Sequence, residues 1–121
     1  MQWTIERELL DYALEISKDY YPKEFLALLR AENEKISELI FVPGLKSSDR
    51  SATFDSYMLP HYFDVVGTIH SHPSESFQPS DKDLMVFSRY PVNIILFYPF
   101  CEDCWRAYDS EGRDINLIHI L

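Results

Sequence analysis

His70 and His72 stand two residues apart in DVVGTIHSH (64–72). The run is rich in β-branched side chains and reads as a strand. Alternation along a strand then puts both imidazoles on one face and Ser71 on the other. Ser80 follows eight residues after His72, and Asp83 three residues later. Two same-face histidines and one carboxylate make three protein ligands, the number a catalytic zinc site uses while its fourth position stays open. Imidazole and carboxylate donors suit Zn²⁺ better than Mg²⁺, which prefers an all-oxygen shell. Each part has a plainer reading: a histidine pair at a strand end is often only surface, and Ser80-x-x-Asp83 is a helix capping box. The two readings are compatible, because a carboxylate on a first helical turn is well placed to meet a cation held by a neighbouring strand. In a chain of this composition the spaced quartet arises by chance about once in a thousand cases, which favours the metal.

The elements that must hold these residues follow from periodicity. Residues 4–20 carry Ile5, Leu9, Ala13 and Ile16 at helical spacing, with Thr4 as N-cap and Pro22 as stop. Residues 24–31 and 36–42 read as strands joined by Glu32-Asn33-Glu34-Lys35, and 43–52 is loop chemistry. A short strand is expected at 53–57, then the strand 64–72 and a proline-containing loop at 73–80. Ser80 opens a second helix, with Leu84, Phe87 and Ser88 on its inner stripe and Pro91 beyond it. Strands at 92–99, 104–109 and 114–120 close the chain, with Ser110-Glu111-Gly112 as a hairpin turn. This order predicts an α/β domain, a mixed β-sheet flanked by helices, running as one domain over 1–121.

Composition narrows the function. The 121 residues are 46% apolar and 15% aromatic with three glycines, which excludes a solvated coil. The net charge of −9 and the lack of any Lys/Arg run argue against nucleic acid and against an anionic membrane surface. Glu6, Arg7, Glu8 and Asp11 interrupt any leader-like apolar core, and Ile94 to Cys101 is far shorter than the ~20 residues of a membrane span. A cytoplasmic protein is the expectation.

His70-Ser71-His72-Pro73, with seven residues between His72 and Ser80, then Ser80-x-x-Asp83, resembles the signature of the JAMM (MPN+) metalloprotease family. The likeness runs from the N-terminal helix through Gly67-Thr68-Ile69 to the strand at 92–99, and is strongest to the short, single-domain archaeal members. It implies a cytidine-deaminase-like three-layer sandwich and one Zn²⁺ per chain, held by His70, His72 and Asp83. A metal there lowers the pKa of a water towards ~7. The resemblance singles out Glu24, in Pro22-Lys23-Glu24-Phe25, as general base, where chemistry alone leaves Glu15 and Glu75 open. It gives Ser80 the developing oxyanion. The implied substrate is a ubiquitin-like protein with a C-terminal diglycine, joined to a lysine amine. A diglycine tail offers no side chains, so a main-chain groove is expected in 44–60, with Ser51, Thr53, Phe54, Tyr57 and Met58 as substrate-binding candidates. An ordinary surface loop is the equal alternative for that stretch.

The resemblance leaves two alternatives. One is a peptidase that processes the C-terminus of a ubiquitin-like sulfur carrier with the same site. The other is a non-catalytic MPN binding scaffold, which would have no reason to keep Glu24, His70, His72, Ser80 and Asp83 together. Cys101-x-x-Cys104 resembles half of a nucleobase deaminase site, but that chemistry needs H-x-E and P-C-x-x-C. Here the spacings are H-x-x-E and P-F-C, and each half fails by one residue. The cysteine pair instead falls between two strands, as free thiols, an internal disulfide or an intermolecular bridge. His61 and His119 read as packing or surface residues, and 97–100 as core. The modifier, its target and the oligomeric state, a homodimer included, stay open.

Overall fold

The computed structural model describes residues 2–41 and 65–120. Its elements, in order, are β1 (Thr4–Glu6), α1 (Arg7–Tyr20), β2 (Leu26–Glu32), β3 (Lys35–Ile40), β4 (Val65–His72), α2 (Asp81–Phe87), β5 (Val92–Phe97), β6 (Trp105–Tyr108) and β7 (Ile118–Ile120). The strands form one mixed sheet in the order β6-β5-β4-β2-β3-β1-β7. β4 is an interior strand beside the central β2, antiparallel to β2 and parallel to β5. A parallel neighbour needs a crossover, and the loop 73–80 with α2 supplies it. Gly67 lets that pair close up: a Cβ there would sit 1.6 Å from the carbonyl oxygen of Val92.

The two faces of β4 are used differently. On one, Ile69 packs with Ile94 and Leu96 of β5 and with Leu10, Ala13 and Leu14 of α1, forming the main core. On the other, Thr68, His70 and His72 stand opposite Asn93, Ile95 and Phe97, and Phe87 of α2 packs on Ile95 and Tyr108. Thr68 and Asn93 are buried polar residues that satisfy one another, the Thr68 hydroxyl donating to Asn93 Oδ1 at 2.7 Å. The expected α/β arrangement of a mixed sheet flanked by helices is therefore observed.

Several boundaries differ from expectation. Thr4, Ile5 and Glu6 are strand, paired in parallel with both β3 and β7, and the helix begins at Arg7. Ile5 fits a helical stripe and a strand equally well, and ladder bonds on both sides decide for the strand. The helix buries Leu10, Ala13, Leu14 and Ser17, while Leu9 and Ile16 pack at the edge of the core. Its Arg7 is also buried, bonding the Asp11 carboxylate at 2.9 Å and the Glu102 carbonyl at 3.0 Å. The β2–β3 turn is tight, with Asn33 and Glu34 at φ 51° and 66°.

The turn at Ser110–Gly112 forms, with Gly112 at φ 79°, but the hairpin does not continue. After Asp114 bridges Tyr108 and the Ile115 N–H bonds the Ala107 carbonyl, the chain leaves β6, and β7 pairs with β1 instead. Trp105 of β6 still meets His119 of β7 edge-on at 6.2 Å, so the sheet curls until its two edge strands approach. Phe100 is buried as expected of 97–100, whereas Tyr98 is 39% exposed and stacks on Tyr21. In α2 only Phe87 is fully buried; Leu84 is exposed. Cys101 and Cys104 are joined as an internal disulfide across the β5–β6 turn. The expected strand at 53–57 and His61 lie outside the described residues.

Candidate metal centre

Where β4 ends and α2 begins, three side chains converge. His70 Nε2 and His72 Nε2 are 3.0 Å apart, and each lies 3.2 Å from a different oxygen of Asp83. The strand supplies the two imidazoles at i and i+2. The helix supplies the carboxylate through its cap: the Asp83 N–H donates to Ser80 Oγ at 3.1 Å, and Asp83 Oδ2 accepts the Ser80 N–H at 2.9 Å. The capping box is thus complete, and it aims Asp83 at the strand. Both readings of Ser80-x-x-Asp83 hold at once.

His72 Nδ1 lies 3.0 Å from the carbonyl oxygen of Ser76. A carbonyl only accepts, so Nδ1 carries the proton. With Nδ1–H held by that carbonyl, Nε2 faces His70 and Asp83. Protonated it donates to Asp83, and neutral it offers a lone pair to a cation, which is how an outer partner prepares a histidine ligand. Burial tends to neutralise Asp83, but the hydrogen bonds from His70 and His72 outweigh it and hold the carboxyl well below its usual range. Burial likewise tends to lower His72. The Asp83 hydrogen bond, the Ser76 carbonyl and the charges of Asp83 and Glu24 outweigh it and raise the imidazole above its usual value. The cluster demands a positive charge at its centre, a proton or a cation.

The residues fit zinc. Ligands at 2.0–2.1 Å around a tetrahedral ion are separated by about 3.3 Å, close to the 3.0–3.2 Å observed here. Among the described residues, His70, His72 and Asp83 are the group of metal-ligating side chains close enough to share an ion. His70 is buried at 5% exposure, while His72, Asp83, Ser80 and Glu24 line an open cleft of about 520 Å³. Ser80 accepts at the cap with its oxygen, and a hydroxyl in that role still has a proton to donate.

Glu24 reaches the cleft by register. Leu26 pairs with His70 across β2 and β4, so alternation puts residue 24 on the His72 face. That pairing is long-range, and no local signal in the sequence separates Glu24 from Glu15. Glu15 instead lies on α1, bonded to Lys18 at 2.9 Å. Glu75 is exposed on the loop after β4. Ser51, Thr53, Phe54, Tyr57 and Met58, offered as a substrate groove, lie outside the described residues. Ser71, on the face opposite the histidines, bonds through its hydroxyl to the main chain next to Glu24, a contact with no local signal in the sequence.

The family pattern described as prokaryotic homologs of the JAB domain matches residues 6–108. A probable metalloprotease of Haloferax volcanii is 36% identical over 94% of this chain and 78% of its own length. Among solved structures, a JAB1/MPN domain protein from Archaeoglobus fulgidus is 36% identical, with a TM-score of 0.79 over 99% of this chain and 98% of that one. A structure described as a metalloprotease-like zinc site in the proteasome and signalosome is 34% identical, with a TM-score of 0.80 over the full length of both chains. A protein from Desulfitobacterium hafniense, 17% identical over 98% of this chain and 93% of its own, shares the fold with a TM-score of 0.63. With its sequence matched over residues 6–108 and its fold shared end to end, the chain belongs to the JAMM/MPN family, among the prokaryotic homologs of the JAB domain.

Proposed function

We propose that the chain is a zinc-dependent isopeptidase that cleaves between the C-terminal glycine of a ubiquitin-like modifier and a lysine amine. One observation carries this reading: Glu24, His72, Ser80 and Asp83, from three separate stretches of sequence, line one cleft above His70. A zinc protease is the coarser statement, and it is supported by the Haloferax metalloprotease and by the zinc site of the 34%-identical structure. The modifier substrate is inferred from the family resemblance of the motif.

His70, His72 and Asp83 hold the ion, which when bound supplies Lewis acidity and makes a water acidic near neutral pH. Glu24 accepts the proton of the attacking water as its oxygen bonds the glycine carbonyl carbon. It returns that proton to the lysine nitrogen as the C–N bond breaks. Ser80 donates its hydroxyl hydrogen to the carbonyl oxygen as charge builds there. Losing one such donor costs about 3 kcal/mol of barrier in other hydrolases. The products are the modifier's free carboxylate and the lysine amine.

The test is cleavage of a ubiquitin-like protein joined through its terminal glycine to a lysine, read by mass spectrometry. Zinc-loaded wild type should cut after the glycine, and chelated protein and Glu24→Gln should not. Intact conjugate with zinc-loaded wild type would remove this substrate from the proposal. Trimming of a free modifier C-terminus instead would assign the sulfur-carrier role, and protein that neither binds zinc nor cleaves would be a scaffold.

A further inference from the structure

We propose that Ser71 is a positioning residue for Glu24, an inference that rests on Glu24 being the proton carrier proposed above. Ser71 lies between the two histidine ligands but points away from them, and it is fully buried on the α1 side of β4. A hydroxyl in that position is costly to bury unless it is bonded. Its oxygen accepts the Phe25 N–H at 2.7 Å, while the Ser71 N–H donates to the Phe25 carbonyl at 2.9 Å.

The β2–β4 register makes this exchange unusual. Leu26 faces His70, so the next rung pairs Phe25 with Ser71, and in a regular antiparallel ladder such a pair exchanges two main-chain bonds. Only one is made in that way. The second bond is diverted to the side chain, and β2 begins at Leu26 although β4 continues to His72.

The diverted N–H belongs to the peptide unit that joins Glu24 to Phe25. That unit is planar, so fixing its N–H fixes the plane from which Glu24 projects. Upstream, the chain is fastened by the Lys23 N–H on the Tyr20 carbonyl at 2.8 Å. Ser71 is the downstream fastening, and it sets where the Glu24 carboxylate enters the cleft. One strand segment thus presents the metal ligands on one face and aims the base from the other.

The experiment compares zinc-loaded wild type with Ser71→Ala, Ser71→Cys and Ser71→Thr. Cysteine keeps the side chain's shape, slightly enlarged, but is a weak acceptor, so it serves if the alanine variant does not fold; threonine keeps the hydroxyl. We expect Ala and Cys to retain one zinc per chain and to speed exchange of the Phe25 amide at least tenfold. They should lower kcat by about 10²-fold with KM little changed, the scale of a misplacement near 1 Å, and Thr should restore both values. In a Glu24→Gln background the same substitutions should leave residual turnover unchanged while still speeding Phe25 exchange. Faster exchange with undiminished kcat, or loss of zinc, would overturn the proposal. The crystal structure of zinc-loaded Ser71→Cys decides it without a substrate: a Glu24 carboxylate unmoved from its wild-type place refutes the positioning role. If wild type cleaves nothing, the isopeptidase reading fails, and this structural arm still decides Ser71.

Discussion

Asp83 serves two structures with one carboxylate, closing the cap of α2 and meeting both imidazoles. Asp83→Ala should lose zinc and also the cap, whose loss typically costs ~1 kcal/mol. Asp83→Asn keeps a capping oxygen and loses the charge, so it should bind zinc weakly while melting, metal-free, above Asp83→Ala. Metal analysis and thermal denaturation of the two variants separate the roles, and full zinc occupancy in Asp83→Ala would overturn the ligand assignment. Glu24→Gln differs in kind. The amide cannot accept a proton, so zinc content should stay near one per chain while turnover falls, by the 10²–10⁴-fold typical of a lost proton carrier. Loss of zinc from that variant would make Glu24 a ligand or a structural residue. Both histidines, Ser80 and Asp83 were legible because i, i+2 and i, i+3 spacings are local geometry. Glu24 was legible only through resemblance, because its place depends on a register set forty-six residues downstream.

At the scale of elements, the same division holds. The cap of α2 and the face of β4 follow from neighbours in sequence and appear where expected. The start of α1 and the partner of β7 do not, since both depend on which distant strand offers a free edge. Ile5 between β3 and β7, and the chain leaving β6 after Asp114, are the two cases. Gly67 shows how an element can control the site without touching it. Its missing Cβ admits the Val92 carbonyl and so sets the parallel approach that brings α2, with Asp83, against the histidines. Gly67→Ala should therefore destabilise the fold by 1–3 kcal/mol or more, as overpacked cores do. It should also weaken zinc binding, although no ligand is altered. Denaturant titration with a zinc competition assay checks this, and wild-type affinity with reduced stability would confine Gly67 to packing.

The whole molecule places its charge cluster between the two helical layers, where α1 backs one face of the sheet and α2 covers the other. Net charge says little here, because −9 spread over the surface steers encounter more than it selects a partner. The buried cluster instead ties global stability to pH, in opposite senses with and without metal. In metal-free protein, Asp83 is depressed below its reference of 3.8, so its contribution is present above that value and lost as pH falls through the lower folded value. His72 is raised above 6.5, so its contribution is present below 6.5 and lost as pH rises through the raised value. The pair thus supports the metal-free fold best between about pH 4 and 6.5 and loses strength above. Zinc requires neutral His72 and competes with its proton, so affinity rises through the same interval in which the proton's contribution fades. Ligand stabilisation grows as RT ln(1 + [L]/Kd), and the melting-temperature gap between zinc-loaded and metal-free protein should widen from pH 5.5 to 8. His72→Gln, which removes the titrating ligand, should flatten that gap. Parallel melting curves with a constant gap across this range would mean that His72 is neutral in the metal-free fold, and that Asp83 is held by His70 and the cap alone.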